Sequence, residues 1–98
     1  MPMFIALLTV EFSLEGNDNL KAKRRVANSL KQKTRNAFNV AIAEAGTENS
    51  YTLLRLCLVS VSNNETHLRE RMEKCSLMME TVCPEPMIDS QVEIDVIR

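Results

Sequence analysis

Two stretches of the sequence are apolar on both faces, which is typical of central strands in a sheet. Residues 3–12 read Met-Phe-Ile-Ala-Leu-Leu-Thr-Val-Glu-Phe, and residues 51–61 carry leucines on one side and a cysteine with two valines on the other. Residues 38–45 and 90–98 instead alternate between the two sides, as half-exposed edge strands do. The sequence therefore predicts one sheet in which the first and third strands are central.

Two amphipathic helices are predicted between these strands. Over residues 20–37, apolar side chains recur at helical spacing, at Ala22, Val26, Leu30 and Ala37. A capping box predicts the start of the second helix, because Ser62 and Glu65 are spaced so that each satisfies a free amide there. The predicted buried stripe of the second helix is Leu68, Met72, Cys75, Met79 and Val82.

The order of elements is thus βαββαβ, since Pro84 and Pro86 prevent the second helix from continuing past Cys83. Two helices on one face of a four-stranded antiparallel sheet form the ferredoxin-like α+β sandwich, which is the predicted fold class. A chain of 98 residues has room for one core only. Residues 1–98 are therefore predicted to form a single domain.

The cellular setting is predicted from the apolar runs and the cysteines. The longest apolar run, Met3 to Leu8, is far shorter than the roughly 20 residues that span a bilayer, and no basic signal region precedes it. We therefore expect a cytoplasmic protein without a membrane partner. Cys57, Cys75 and Cys83 are expected to be reduced and packed as small hydrophobic residues, with a strand-to-helix disulfide involving Cys57 as the alternative.

No group of residues in the sequence specifies a reaction. His67, the single histidine, is predicted on a solvated flank of the second helix without a partner spaced to orient it. The two glycines are too few for a glycine-rich phosphate loop, and the cysteines lack zinc-site spacing. Glu44, Glu93 and Asp95 are interpreted as charges that protect sheet edges, with acid–base chemistry as the alternative. We expect no enzymatic activity, no cofactor and no metal.

The distribution of charge is the strongest functional signal. Residues 20–38 hold seven of the twelve basic residues and no acidic one, although the whole chain has a net charge of −1. Cations in the first turn of a helix oppose the helix dipole, so stability alone does not explain them. The candidate nucleic-acid-binding residues, predicted to contact phosphates, are Lys21, Lys23, Arg24, Arg25, Lys31 and Arg35. A solvated helix face is the alternative interpretation.

The open face of the predicted sheet indicates self-association. Met3, Ile5 and Leu7 oppose Phe4, Ala6 and Leu8 on the first strand, yet two helices cover only one face of the sheet. A bare apolar face predicts face-to-face homodimers. This face also lacks the central aromatic pair on which RNA-recognition sheets stack bases, so RNA is not expected there.

The segment from Asn19 to Glu44 resembles a known family. The matching residues are Leu20-Lys21, Lys23-Arg24-Arg25-Val26, Ser29-Leu30, Asn36, Phe38-Asn39-Val40 and Ala43-Glu44, with Val-Ser-Asn at 61–63. This pattern is similar to that of the YlxP-like family of small bacterial proteins of unknown function. The resemblance implies a ferredoxin-like fold and no activity, and members are often encoded beside ribosome-maturation and translation-initiation factors.

Two function classes follow for this chain. The first is a non-enzymatic binding module that docks on RNA phosphates in ribosome assembly or translation, without recognition of DNA sequence. The second is a homodimeric structural or ligand-responsive domain without nucleic-acid binding.

Overall fold

The computed structural model describes residues 2–97, and its elements follow the predicted order. They are β1 (Met3–Ser13), α1 (Leu20–Ala37), β2 (Ala41–Glu44), β3 (Leu53–Ser62), α2 (Glu65–Val82) and β4 (Met87–Ile97). Residue 98, the end of the predicted last strand, lies outside the described residues.

The four strands form one sheet in the order β2-β3-β1-β4, and every neighbouring pair is antiparallel. The apolar β1 and β3 are central, and the shorter or alternating β2 and β4 are at the edges. The predicted ferredoxin-like architecture is therefore confirmed. Its physical basis is that a central strand pairs with a neighbour along both of its edges, whereas an edge strand keeps one edge open to solvent.

The core lies between the sheet and the two helices. Alternate residues of β1 and β3 point into it, and the leucines at 54, 56 and 58 are fully buried. From α2, Leu68, Met72, Cys75 and Met79 complete the core as predicted, but Val82 is exposed. Cys83, which caps α2 in an extended conformation, is buried in place of Val82.

The second and fourth strands differ from the predicted ranges. β2 begins at Ala41 rather than at residue 38, because the amide of Phe38 donates to the carbonyl of Thr34 and closes α1. β4 begins at Met87 rather than at residue 90. A register shift between Glu11 and Phe12 pairs Phe12 with Met87, so that β4 begins three residues earlier than predicted.

The start of α2 also differs from the prediction. The N-cap is Asn64, whose side-chain oxygen accepts from the amide of His67 at 3.0 Å. Ser62 remains the last residue of β3, and its hydroxyl accepts from the amide of Asn64 at 3.1 Å. The predicted capping box of Ser62 and Glu65 is therefore wrong, because asparagine is an equally good cap and lies adjacent to the helix.

Candidate nucleic-acid interface

The predicted phosphate-binding residues all lie on α1, which packs beside β2 and α2. Asn19 caps the helix by accepting from the amide of Ala22 at 2.8 Å, and the first turn holds no acidic residue. Five of the six predicted cations reach solvent along the helix, with Lys31 half-buried: Lys21, Arg24, Arg25, Lys31 and Arg35. The positive end of the helix dipole thus coincides with a run of cations.

Lys23 is the exception, and its predicted contact with phosphates is corrected by the structure. Its side chain is 1% exposed, and its ammonium lies 2.7 Å from a carboxylate oxygen of Glu44. The same ammonium donates to the backbone carbonyls of Thr47 and Ser50. With its charge and protons engaged inside the fold, Lys23 is not available to a ligand on the surface.

Lys23 and Glu44 anchor the loop between β2 and β3 to α1. Glu44 also accepts a hydrogen bond from the hydroxyl of Thr47 at 2.7 Å. That hydroxyl in turn accepts from the backbone amide of Arg55 at 3.0 Å. The network therefore fixes the loop against both α1 and β3, and every buried polar side chain in it has a partner.

Sequence periodicity missed this pair because the buried stripe of α1 contains polar residues. The buried residues are Lys23, Ala27, Leu30 and Thr34, whereas Ala22 and Val26 are half-buried and Ala37 is exposed. The spacing of the buried set is helical, so the signal was present. It was hidden because a lysine and a threonine stand where an apolar stripe is expected.

An open cleft of about 480 Å³ runs between α1 and the edge of the sheet at β2. Arg24, Asn28 and Lys31 line its helix side, and Glu44 and Glu48 line the opposite side. Glu44 is ion-paired with Lys23, whereas an oxygen of Glu48 accepts from the neutral amide of Gly46 at 2.8 Å. The cleft therefore presents two cations and an amide from α1, opposite one ion-paired carboxylate and the carboxylate of Glu48.

A second groove, of about 260 Å³, lies on the other flank of α1 against the end of α2. Its lining combines the polar Arg25, Ser29 and Lys33 with the apolar Val26 and Leu30. The basic residues of α1 are thus divided between two depressions, and those that share the β2 flank form the longer row.

The remaining candidates of the sequence do not converge on these surfaces. His67 is exposed on α2, beside Glu70, Arg71 and Lys74. Glu93 and Asp95 lie on the sheet face opposite the helices, in a depression that Ile5, Leu7 and Val59 also line. Among residues 2–97, no group of three or more histidine, cysteine or acidic side chains is placed to hold a metal ion. Within the same residues, no helix is long and apolar enough to cross a membrane.

The three cysteines are free thiols in different environments. Burial raises the pKa of Cys75 to about 11, although nearby Arg71 opposes the shift, and burial also raises the pKa of Cys83. Cys57 lies half-buried on the sheet face that the helices do not cover.

We expect iodoacetamide at pH 8 to modify Cys57 in the folded protein, while Cys75 and Cys83 react only after unfolding, because the thiolate is the reactive form. Mass spectrometry of the labelled peptides measures this order. Fast labelling of Cys75 in folded protein would contradict this assignment.

The raised pKa of Cys75 also makes folding stability depend on pH. Since folding keeps the Cys75 thiol protonated, its contribution to stability is complete below its ordinary pKa of 9.0 and is lost as the pH rises towards 11.

The fold and this surface together define a small ferredoxin-like α+β domain with one basic helical flank. Over residues 5–92 the sequence matches DUF503, described as a protein of unknown function. Because the match covers most of the chain, the protein belongs to the DUF503 family. No curated protein matches the sequence.

Solved structures with a similar fold have very different sequences. The structural-genomics protein YJCS is 11% identical, with a TM-score of 0.50 over 91% of this chain and 96% of that one. The designed protein LFR1 1, described as having a ferredoxin fold, is 14% identical, with a TM-score of 0.44 over 97% of this chain and 85% of that one. A putative antibiotic biosynthesis monooxygenase from Nitrosomonas europaea is 8% identical, with a TM-score of 0.47 over 97% and 88%. These likenesses concern the fold alone.

Proposed function

We propose that the protein is a non-enzymatic binding module that docks on RNA phosphates through one flank of α1. Its resemblance to the YlxP-like family, whose genes often neighbour those of ribosome-maturation and translation-initiation factors, supports a cytoplasmic role in ribosome assembly or translation. This is the first of the two function classes that the sequence indicates, with Lys23 removed from the contacting set.

The observation that carries the proposal is a row of polar side chains along the β2 flank of α1. Residues three and four apart share one face of a helix. That spacing aligns Lys21, Arg24, Asn28, Lys31 and Arg35. At 1.5 Å per residue the row extends for about 21 Å, which is long enough to follow successive phosphates of one strand. No acidic residue of α1 interrupts it.

The position of the row favours phosphates over an incidental basic surface. Lys21 and Arg24 stand in the first turns of α1, where each cation costs roughly 0.3–1 kcal/mol against the helix dipole. The same dipole and the free amides of a helix start attract phosphate. Features that oppose folding in this way and favour an anion are typical of a binding surface.

We expect the protein to bind labelled single-stranded RNA with little dependence on sequence and a steep dependence on salt. Four phosphate contacts predict a slope of log K against log salt near about −3, because each contact releases counterions. Fluorescence anisotropy between 50 and 200 mM salt measures the slope. Substitution Arg24→Gln or Lys31→Gln should make it shallower by about 0.7 each. Arg69→Gln, which removes the same charge from exposed α2, is the control and should leave the slope unchanged.

Folding stability supplies the second readout of this experiment. Lys21→Gln and Arg24→Gln should leave the free energy of unfolding unchanged or raise it by up to about 1 kcal/mol, because they relieve the unfavourable dipole interaction. Binding and stability should then change in opposite directions. If Lys21→Gln or Arg24→Gln destabilises the fold by more than about 1 kcal/mol, or if the wild-type protein does not bind RNA at the lowest salt concentration, α1 is not an RNA-binding surface.

A further inference from the structure

The sheet face opposite the helices carries a contiguous apolar patch that no described element covers. Met3, Ile5 and Leu7 of β1 lie beside Val59 and Val61 of β3, and Val61 is 49% exposed. Contiguous apolar surface of this kind marks interaction sites on soluble proteins. We propose that the same face of a second copy of the chain covers it, in a dimer whose two-fold axis runs along the strands. The proposal is independent of RNA binding on the other face.

The strand registers divide this open face into rungs, each a row of neighbouring residues across the sheet. One rung is apolar except at β4 and consists of Glu93, Leu7, Val59 and Ala41. A charged rung near the end of β1 consists of Asp89, Glu11 and Arg55. Within the charged rung, Arg55 Nη2 lies 2.6 Å from a carboxylate oxygen of Glu11, and the Arg55 side chain remains 43% exposed.

Two sheets that pack face to face keep their strands roughly aligned, so a two-fold axis between them runs either along or across the strands. An axis along the strands keeps each rung opposite the same rung of the partner and reverses the order of the strands. β1 then faces the partner's β3, because these are the two central strands. Leu7 packs over the second copy's Val59, and Glu11 faces the second copy's Arg55. On the two central strands, the apolar rungs and the charged rung are thus each self-complementary.

An axis across the strands is disfavoured by charge. It keeps each strand opposite itself and reverses the order of the rungs, so β4 faces the same strand of the second copy. β4 presents Asp89, Glu93 and Asp95 on the open face, and like charges at an interface oppose association. With the axis along the strands, β4 instead faces β2, which presents Ala41 and Ala43 there.

The open face approaches the size that a stable dimer needs. β1, β3 and β4 are each about 35 Å long, whereas the four residues of β2 span about 13 Å, so strands about 4.8 Å apart give a face on the order of 600 Å². Specific interfaces bury roughly 800 Å² on each partner. The second copy also supplies the covering layer that the apolar rungs lack, which argues for this occupant over a smaller ligand.

Exchange of the two charges in the charged rung tests this arrangement. On the two central strands of this rung, a Glu11→Arg chain carries two positive charges and an Arg55→Glu chain carries two negative ones, while Asp89 on β4 is unchanged in both. In a homodimer of either variant, residue 11 of one chain faces residue 55 of an identical chain with the same sign of charge. Self-association of each variant alone should therefore weaken at least about tenfold. In an equimolar mixture every charge meets its opposite, and heterodimers should form. Sedimentation and native mass spectrometry measure both results.

The controls separate interface effects from loss of folding. Arg69→Glu and Glu73→Arg make the same charge changes at exposed positions of α2, and each variant should dimerise as strongly as the wild-type protein. Circular dichroism reports whether each variant folds, and Val61→Asp, an exposed position, is a second way to disrupt the apolar rungs. In the wild-type protein, labelling of Cys57 should slow as concentration rises, because Cys57 faces the partner's Thr9.

Two results would overturn the proposal. A wild-type protein that remains monomeric at high micromolar concentration shows that a second copy does not cover the face, and that another partner or solvent does. A wild-type dimer whose two charge variants fail to form heterodimers, although both fold, shows that the charged rungs do not meet. Heterodimers formed only by the mixture support the axis along the strands.

Discussion

Replacement of Lys23 by methionine should lower the free energy of unfolding by about 3–5 kcal/mol, because it leaves the largely buried carboxylate of Glu44 without its cation. The carbonyls of Thr47 and Ser50 would lose the same donor. Against a total stability of about 5–15 kcal/mol, this is a large fraction. Urea denaturation measures the change in the unfolding midpoint.

Lys21→Met is the matched control, since the exposed Lys21 lies only two residues before Lys23. It should leave stability unchanged or raise it by up to about 1 kcal/mol, because it removes a cation that opposes the helix dipole. The double substitution Lys23→Met and Glu44→Leu should recover part of the loss, because it removes the uncompensated charge. A cost below about 1 kcal/mol for Lys23→Met would mean that solvent replaces the lysine.

Replacement of Phe12 by alanine should cost about 3–5 kcal/mol, the range for large aromatic residues in a close-packed core. Phe12 is fully buried at the end of β1, paired across the sheet with Leu54 and, after the register shift, with Met87. The cavity left by the ring has little freedom to collapse between two fixed strands. Thermal and urea unfolding measure the loss.

Tyr51→Ala is the aromatic control, since Tyr51 is half-exposed before β3. Its substitution should cost about 0.5 kcal/mol or less. Equal losses for the two variants would contradict the placement of the core between the sheet and the helices.

The two proposals place different partners on opposite faces of the sheet. The proposed dimer interface uses the open face, whereas the proposed RNA surface lies on α1, on the covered face. A dimer would therefore carry two basic flanks, one on each outer side of a four-layered particle. The substitutions Arg24→Gln and Lys31→Gln should leave dimer formation unchanged, and the charge exchanges at Glu11 and Arg55 should leave the RNA contacts of each chain in place.

The order of the elements was predictable from the sequence because it depends on local periodicity. Strands apolar on both faces become central wherever they occur, and alternating strands become edges. The buried stripe of α2, apart from Val82, follows from helical periodicity in the same local way. The concentration of cations in residues 20–38 was also visible, since charge is a property of the residues themselves.

Tertiary structure decided which of those cations face solvent. A lysine at a helical position has the same charge whether it is buried or exposed. Lys23 is stabilised inside the fold by Glu44 of β2 and by the carbonyls of Thr47 and Ser50, which only the tertiary structure brings to it. The choice of Asn64 as N-cap and the early start of β4 likewise depended on where neighbouring strands end. The alignment of Glu11 with Arg55 required the register of β1 on β3, which joins residues 44 positions apart. Local sequence sets periodicity and charge, whereas pairing between distant segments sets burial and partners.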